Sequence, residues 1–135
     1  MMKFAQAYGA CLLCFLILDY IWINIVAQNF YMKHLSDLLR LKNGEMDANL
    51  PAAAIFYLMF LFGVVYFVSL PAATAGSLSL ALINGALFGL ITYATFDLTC
   101  LALFKSFPLV VVLIDLAWGT FISTIVGLVG FWVMK

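Results

Sequence analysis

Three of the six acidic residues of this chain, Asp19, Asp97 and Asp115, lie within long apolar stretches. A charged side chain at the centre of a bilayer costs about 2.5–3.5 kcal/mol even on a lenient insertion scale, so such residues usually mark a site for protons, ions or a ligand. A carboxyl group in that setting can also act as a general acid or base. These three residues are therefore the first candidates for chemistry.

The three carboxyl groups are predicted to lie at one depth. Asp19, Asp97 and Asp115 lie about eight, six and seven residues from the nearest ends of their predicted helices. At a rise of 1.5 Å per residue, these positions lie roughly 9–12 Å below the same membrane surface. Asp97 is the expected central carboxylate, because it has polar neighbours in the sequence. Those neighbours are Tyr93, Thr95 and Thr99. The expected walls of the pocket are Tyr57, Trp22 and Trp118.

The predicted site contains no Lys, Arg or His. Because burial and mutual repulsion both oppose ionisation, three neighbouring carboxylates cannot all stay charged without compensation. Protons, a bound cation or a basic side chain of the polar loop would supply that compensation. The basic candidates are His34, Arg40, Lys42 and Lys105. Alternatively, protonated acids form only structural hydrogen bonds between helices, which are worth about 0.6 kcal/mol on average in membranes.

The composition sets the class of protein. Of 135 residues, 67 % are hydrophobic and 9 % are charged, and the net charge is zero. Soluble chains are roughly 45–50 % apolar and about 25 % charged, so an ordinary soluble domain is excluded. The chain has no basic block of the kind that binds nucleic acid. The composition predicts an integral membrane protein whose first partner is the lipid bilayer.

Four apolar stretches are long enough to cross a bilayer, which takes about 20 residues. They cover approximately residues 4–26, 52–70, 77–103 and 108–134. Helical spacing of leucines in the polar loop, about residues 28–50, predicts a short helix on the membrane surface, followed by a turn at Asn43-Gly44. The prediction is an all-α, single-domain membrane protein: a four-transmembrane-helix bundle with a short interfacial helix after the first span.

Local signals predict where the spans begin and end. Asn49 followed by Pro51 is typical of a helix start, since proline is tolerated in the first turn. Pro71 comes just past the predicted end of the second span. Ser77 is predicted to cap the third span and Ser106 the fourth.

The distribution of basic residues predicts an orientation. Four spans place both termini on one side of the membrane, which carries Lys3 and Lys135. The opposite side carries Lys33, Arg40, Lys42 and Lys105. The positive-inside rule therefore predicts cytoplasmic loops and external termini, and the expected location is the bacterial inner membrane.

Three short motifs are present within the predicted spans. Asp19-x-x-Trp22 in the first span recurs as Asp115-x-x-Trp118 in the fourth. Transporters built from repeats show weak symmetry of this kind, but an aromatic-rich sequence also produces it by chance. Gly85-x-x-x-Gly89 suits packing within the chain and a homo-oligomer equally well. Cys11-x-x-Cys14 lacks the further ligands of a metal site, so neither a metal nor a cofactor is predicted.

The run Tyr93-Ala94-Thr95-Phe96-Asp97-Leu98-Thr99-Cys100 resembles the Y-A-T-Y-D-L-T-N signature of a bacterial membrane family, domain of unknown function 2177. Further matching pieces, in the family's order, are Asp19-x-x-Trp22, Phe30-Tyr31, Phe56-Tyr57, Pro71-Ala72, Gly85-x-x-x-Gly89 and Asp115-x-x-Trp118-Gly119. Phe96 and Cys100 replace the signature Tyr and Asn, so a site using those polar groups would differ here. The resemblance covers nearly the whole chain and implies no assigned activity. Its association with genes of fatty-acid modification implies a lipid-linked role.

Three functions are compatible with these patterns. In the first, a small binding or transport protein uses the three acids to bind or relay protons or a cationic group, and its expected partners include a lipid or a small cation. The second is a membrane enzyme, or an accessory subunit, in lipid or fatty-acid modification, and the third is a structural partner with no ligand site. A transporter needs a polar route across the membrane. The half near the termini offers little beyond Gln6, Asn84 and Thr124, which favours a one-sided pocket.

Overall fold

The computed structural model describes residues 2–43, 45–46 and 48–135. Within these residues, four helices are long and apolar enough to cross a membrane, and we call them the first to fourth spans. Their bounds are Met2–Val26, Leu50–Ala75, Leu78–Leu103 and Leu109–Met134. The prediction of an all-α membrane protein is confirmed. We call the side of the bundle that carries the connections from the first to the second span and from the third to the fourth the loop side.

The first two spans each contain a π-helical segment. The first span is an α-helix over Met2–Ile21 and a π-helix over Trp22–Val26. The second span is α-helical, then π-helical, then α-helical again, over Leu50–Val64, Val65–Ser69 and Leu70–Ala75. The third and fourth spans are uninterrupted α-helices. Because π-helical turns are common at functional sites, the segment that begins at Trp22 is a notable position.

The connection after the first span is a compact surface segment. It contains an α-helix over Gln28–Leu35 and two antiparallel two-residue strands, Leu41–Lys42 and Glu45–Met46. The helix is shorter than the leucine spacing predicts, because the chain leaves it through a turn in which the Leu39 N–H donates to the Leu35 carbonyl at 2.9 Å. Asn43 has the positive φ of 55° that suits the predicted turn, whereas Gly44 lies outside the described residues.

Side-chain caps start the second and third spans. The Asn49 carboxamide oxygen accepts from the Ala52 N–H at 3.3 Å, and the Ser77 hydroxyl oxygen accepts from the Leu80 N–H at 3.1 Å. The prediction that Ser106 caps the fourth span is wrong. The residue before that helix is Pro108, which is extended and provides no side-chain cap.

Proline does not end the second span, although the sequence predicts an end before Pro71. A proline inside an α-helix clashes with the carbonyl four residues earlier and lacks an N–H. The π-helical segment before it changes the register, so that Pro71 falls in the first turn of a new α-helical segment, where no N–H donor is required. The span then continues to Ala75 and ends at Gly76, whose φ of 64° is left-handed.

The third and fourth spans approach each other closely through glycines. A Cβ atom at Gly85 would lie 2.9 Å from the Thr124 Cα, and one at Gly89 would overlap the Gly119 carbonyl oxygen. Both glycines are buried against the fourth span. Of the two uses predicted for Gly85-x-x-x-Gly89, the structure shows packing within the chain.

The half of the bundle near the termini has a closely packed centre. Its fully buried apolar side chains include Ala7, Cys11, Leu61, Val64, Val68 and Val126. Two buried polar groups in this half donate to backbone carbonyls of the fourth span. The Cys11 thiol donates to the Val126 carbonyl at 3.3 Å, and the Ser69 hydroxyl donates to the Gly127 carbonyl at 3.0 Å. This core closes the bundle centre below the loop-side half.

The close glycine contact yields a stability prediction. Gly89→Ala should destabilise the protein by about 1–3 kcal/mol, because the added methyl group forces the third and fourth spans apart. Gly9→Ala is the matched control, since nothing lies within 4 Å of a Cβ at Gly9. Unfolding of both purified variants by denaturing detergent measures the difference. Equal stability of the two variants would contradict the packing described here.

Candidate functional site

A cavity of about 570 Å³ lies at the loop side, between the surface segment and the spans. Residues from all four spans and from the surface helix line it. Its aromatic walls are Trp22, Tyr31, Phe56, Tyr57, Tyr93, Phe96 and Trp118. Two carboxyl groups, those of Asp19 and Asp115, open into this aromatic space. The cavity is therefore apolar and aromatic, with two acidic groups at defined points.

Each of these two carboxyl groups accepts a hydrogen bond from a tyrosine. The Tyr57 hydroxyl donates to the Asp19 carboxylate at 2.6 Å. The Tyr31 hydroxyl donates to Asp115, and the Trp22 indole N–H in turn donates to the Tyr31 oxygen at 3.1 Å. These bonds join the first span to the second, and the surface helix to the first and fourth spans. They hold both carboxyl groups in fixed orientations.

Tyr31 stays protonated, as a hydrogen-bond donor must. Its burial beneath the surface segment and the neighbouring Asp115 charge both raise the pKa of the Tyr31 hydroxyl far above its ordinary value. Because the group remains neutral throughout the physiological pH range, it donates to Asp115 without adding a second negative charge. Tyr31 therefore orients Asp115 through a hydrogen bond and carries no positive charge of its own.

The two D-x-x-W motifs meet at the centre of the site. The indole rings of Trp22 and Trp118 are stacked, with centroids 4.5 Å apart and an interplanar angle of 6°. Each aspartate is connected to the tryptophan of the other motif: Asp19 lies beside Trp118, and Asp115 is linked to Trp22 through Tyr31. The buried Trp118 indole nitrogen completes no hydrogen bond with a described residue. The motifs therefore form a reciprocal pair across the first and fourth spans.

Asp97 lies behind the cavity and does not line it. Its side chain is fully buried, with a relative exposure of 0 %, and neither carboxyl oxygen receives a hydrogen bond from the described residues. The carboxyl group that faces it is that of Asp115. The sequence predicts Asp97 as the central carboxylate, whereas the structure places Asp115 at the cavity and Asp97 in contact with it from the protein interior.

The other residues of the predicted site divide into two groups. Trp22, Tyr57, Tyr93 and Trp118 line the cavity, as does Thr92. Thr95 and Thr99 do not line the cavity, because both are exposed on the outer face of the third span. The Thr95 hydroxyl donates to the Ile91 carbonyl at 2.7 Å, and the Thr99 hydroxyl donates to the Thr95 carbonyl at 2.5 Å. Residues two positions from Asp97 point to the opposite side of an α-helix, whereas Tyr93, four positions away, shares its face.

Tyr31 and Phe96 complete the cavity although neither belongs to the predicted site. The helical spacing of the surface segment was a signal for Tyr31, because it placed Tyr31 on the same face as Leu35. That spacing could not show that the face docks over the spans. Phe96 replaces a tyrosine of the family signature, and it contributes an apolar wall.

Among the described residues that line the cavity, none has a basic side chain. Of the basic groups that the sequence suggests as compensation, His34 turns back to its own helix, with Nδ1 2.9 Å from the Phe30 carbonyl oxygen. No basic side chain of the described lining therefore pairs with Asp19 or Asp115 inside the cavity.

The fold and the site define a four-span membrane protein with an acidic, aromatic cavity open near one surface. The chain belongs to the family described as "Predicted membrane protein (DUF2177)", whose family model matches residues 4–132, so the resemblance stated from the sequence motifs is confirmed. No curated protein and no solved structure matches the chain.

The hydrogen bond between Tyr57 and Asp19 can be tested directly. Tyr57→Phe removes the only atom that donates this bond and should lower the free energy of unfolding by about 0.6–1.7 kcal/mol, the range for hydrogen bonds between membrane helices. Tyr66→Phe is the matched control, because Tyr66 lies exposed on the same span and stacks on Phe62. Detergent-induced unfolding compares the two variants. A loss in Tyr66→Phe equal to that in Tyr57→Phe would show that the bond adds nothing.

Proposed function

We propose that this protein binds an organic cation with an apolar body, taken up from the membrane, and holds its ammonium group between Asp19 and Asp115. The proposal rests on the composition of the cavity: two carboxyl groups face an aromatic space, and none of the described lining residues is basic. An alkylammonium ion supplies both the missing positive charge and an apolar surface for the walls.

The aromatic walls favour an organic cation over a small inorganic one. Tryptophan and tyrosine rings attract ammonium groups through their quadrupoles, by about 0.5–1 kcal/mol at exposed sites and about 2 kcal/mol or more where water is excluded. An alkylammonium ion is weakly hydrated, so it loses little by leaving water. A small metal cation needs several oxygen ligands instead, and aromatic rings do not provide them.

The position of the cavity supports access from the lipid phase. Phe56 and Phe96 line the cavity and are also 46 % and 62 % exposed on the outer surface of the bundle. These two side chains belong to the second and third spans, so the cavity wall on that side is also part of the surface that faces the lipid. An amphiphile at the lipid interface can therefore place its head group between the carboxyl groups while its chain leaves between the two phenylalanines.

The packing below the cavity supports a one-sided binding site. The fully buried side chains of Ala7, Cys11, Leu61 and Val126 occupy the bundle centre towards the termini. They carry no charged group, and the Cys11 thiol and the nearby Ser69 hydroxyl both donate to backbone carbonyls of the fourth span. This arrangement favours binding at one surface over passage through the bundle.

Binding is tested on protein reconstituted in lipid nanodiscs, by thermal unfolding with hexyltrimethylammonium, tetramethylammonium and hexanesulfonate. Hexyltrimethylammonium at 100 times its Kd should raise the unfolding free energy by about 2.7 kcal/mol. Tetramethylammonium lacks the apolar chain and should bind more weakly, and the anion should have no effect. These three probes separate charge recognition from general partitioning into the membrane.

Substitutions locate the binding site. Asp19→Asn and Asp115→Asn should each weaken hexyltrimethylammonium binding at least about tenfold, which corresponds to 1.4 kcal/mol. Thr95→Val is the matched control on the lipid-facing side, and it should bind as the wild type does. If no cation stabilises the wild type, or if the asparagine variants bind equally well, the acids are packing groups and the protein is a structural partner.

A further inference from the structure

We propose that the cation binds in exchange for a proton, and that this proton is held between the carboxyl groups of Asp97 and Asp115. The inference rests on the proposed function and assigns a role to Asp97, which the binding cavity leaves unused. The exchange can be written as site–H plus ligand cation giving site–ligand plus one proton. No covalent bond other than the O–H bond changes.

The first observation is the isolation of Asp97. Its side chain is fully buried, and both carboxyl oxygens lack a hydrogen-bond donor among the described residues. An ionised carboxylate left unpaired in a low-dielectric interior is strongly disfavoured. A proton on one member of a carboxyl pair removes one charge and provides the missing hydrogen bond at the same time.

The second observation is that Asp115 connects Asp97 to the cavity. Asp115 faces Asp97 on one side and lines the cavity on the other. One of its oxygens, Oδ1, accepts from Tyr31, which leaves the other oxygen for the interaction with Asp97. A cation that reaches Asp115 therefore acts on the pair without touching Asp97.

The groups around the pair do not offer a substitute positive charge. From the other elements packed there, the facing titratable groups are Asp19, Tyr31 and Tyr57, and from the third span itself they are Tyr93 and Cys100. All of these groups are neutral or negative. Among the described residues that face the pair, the proton is therefore the compensating charge.

An ammonium group beside Asp115 favours the ionised form of the carboxyl pair, so its arrival promotes loss of the shared proton. If the proton left without a cation, two adjacent carboxylates would repel each other. Exchange keeps the charge of the buried site constant, because the ammonium group takes over the compensation that the proton provided. The affinity for the cation must then rise with pH, by up to about tenfold per pH unit while the pair is protonated.

The test is isothermal titration calorimetry of hexyltrimethylammonium binding in nanodiscs, in phosphate and in ACES buffers. Because the two buffers have different ionisation enthalpies, the difference in heat counts the protons released. We expect close to one proton per bound cation in the wild type below neutral pH. Binding without proton release would overturn this inference and leave the proposed function intact, whereas absence of binding would overturn both.

Two variants assign the proton to the pair. In Asp97→Asn the carboxamide N–H donates to Asp115 in place of the proton, so the cation should still bind but release close to none. Asp19→Asn should bind more weakly and still release a proton. Release that persists in Asp97→Asn, or that disappears in Asp19→Asn, would show that the proton belongs elsewhere.

If Asp97→Asn does not fold, difference infrared spectra of the wild type should show loss of a protonated carboxyl C=O band on binding, and an unchanged band would overturn the exchange.

Discussion

The cost of keeping carboxyl groups inside an apolar bundle governs the rest of this site. Asp19, Asp97 and Asp115 come from three different spans and lie together near the loop side. Tyrosine hydroxyls satisfy part of their hydrogen-bonding capacity, but a hydroxyl carries no positive charge. The carboxyl groups therefore still need charge compensation. In the function proposed here, a bound cation provides it in the cavity, and a proton provides it at Asp97.

The two halves of the bundle differ because their helices approach each other differently. Glycines bring the third and fourth spans into backbone contact, and fully buried aliphatic side chains fill the half near the termini. At the loop side, large aromatic side chains of the spans and residues of the surface segment line the cavity. The stacked rings of Trp22 and Trp118 fix the first span against the fourth at this level. The bundle therefore has a closely packed core near the termini and an aromatic cavity at the loop side.

The sequence predicted the class and the four spans, because hydropathy depends on local composition alone. It misplaced details that depend on packing. Thr95 and Thr99 are neighbours of Asp97 in the chain but lie on the opposite helix face, whereas Tyr31 reaches Asp115 only because the surface helix docks. Pro71 did not end its helix, because a π-helical segment precedes it. No residue pattern distinguished the interior position of Asp97 from the cavity position of Asp115.

The central claim is that an organic cation occupies the space between Asp19 and Asp115. Crystals of the protein grown with 6-bromohexyltrimethylammonium would locate both ends of such a ligand in one experiment. The account predicts density for the ammonium group between the two carboxyl groups, and an anomalous bromine peak at the opening beside Phe56 and Phe96. A cavity filled only by water, with bromine peaks scattered over the lipid-facing surface, would contradict it.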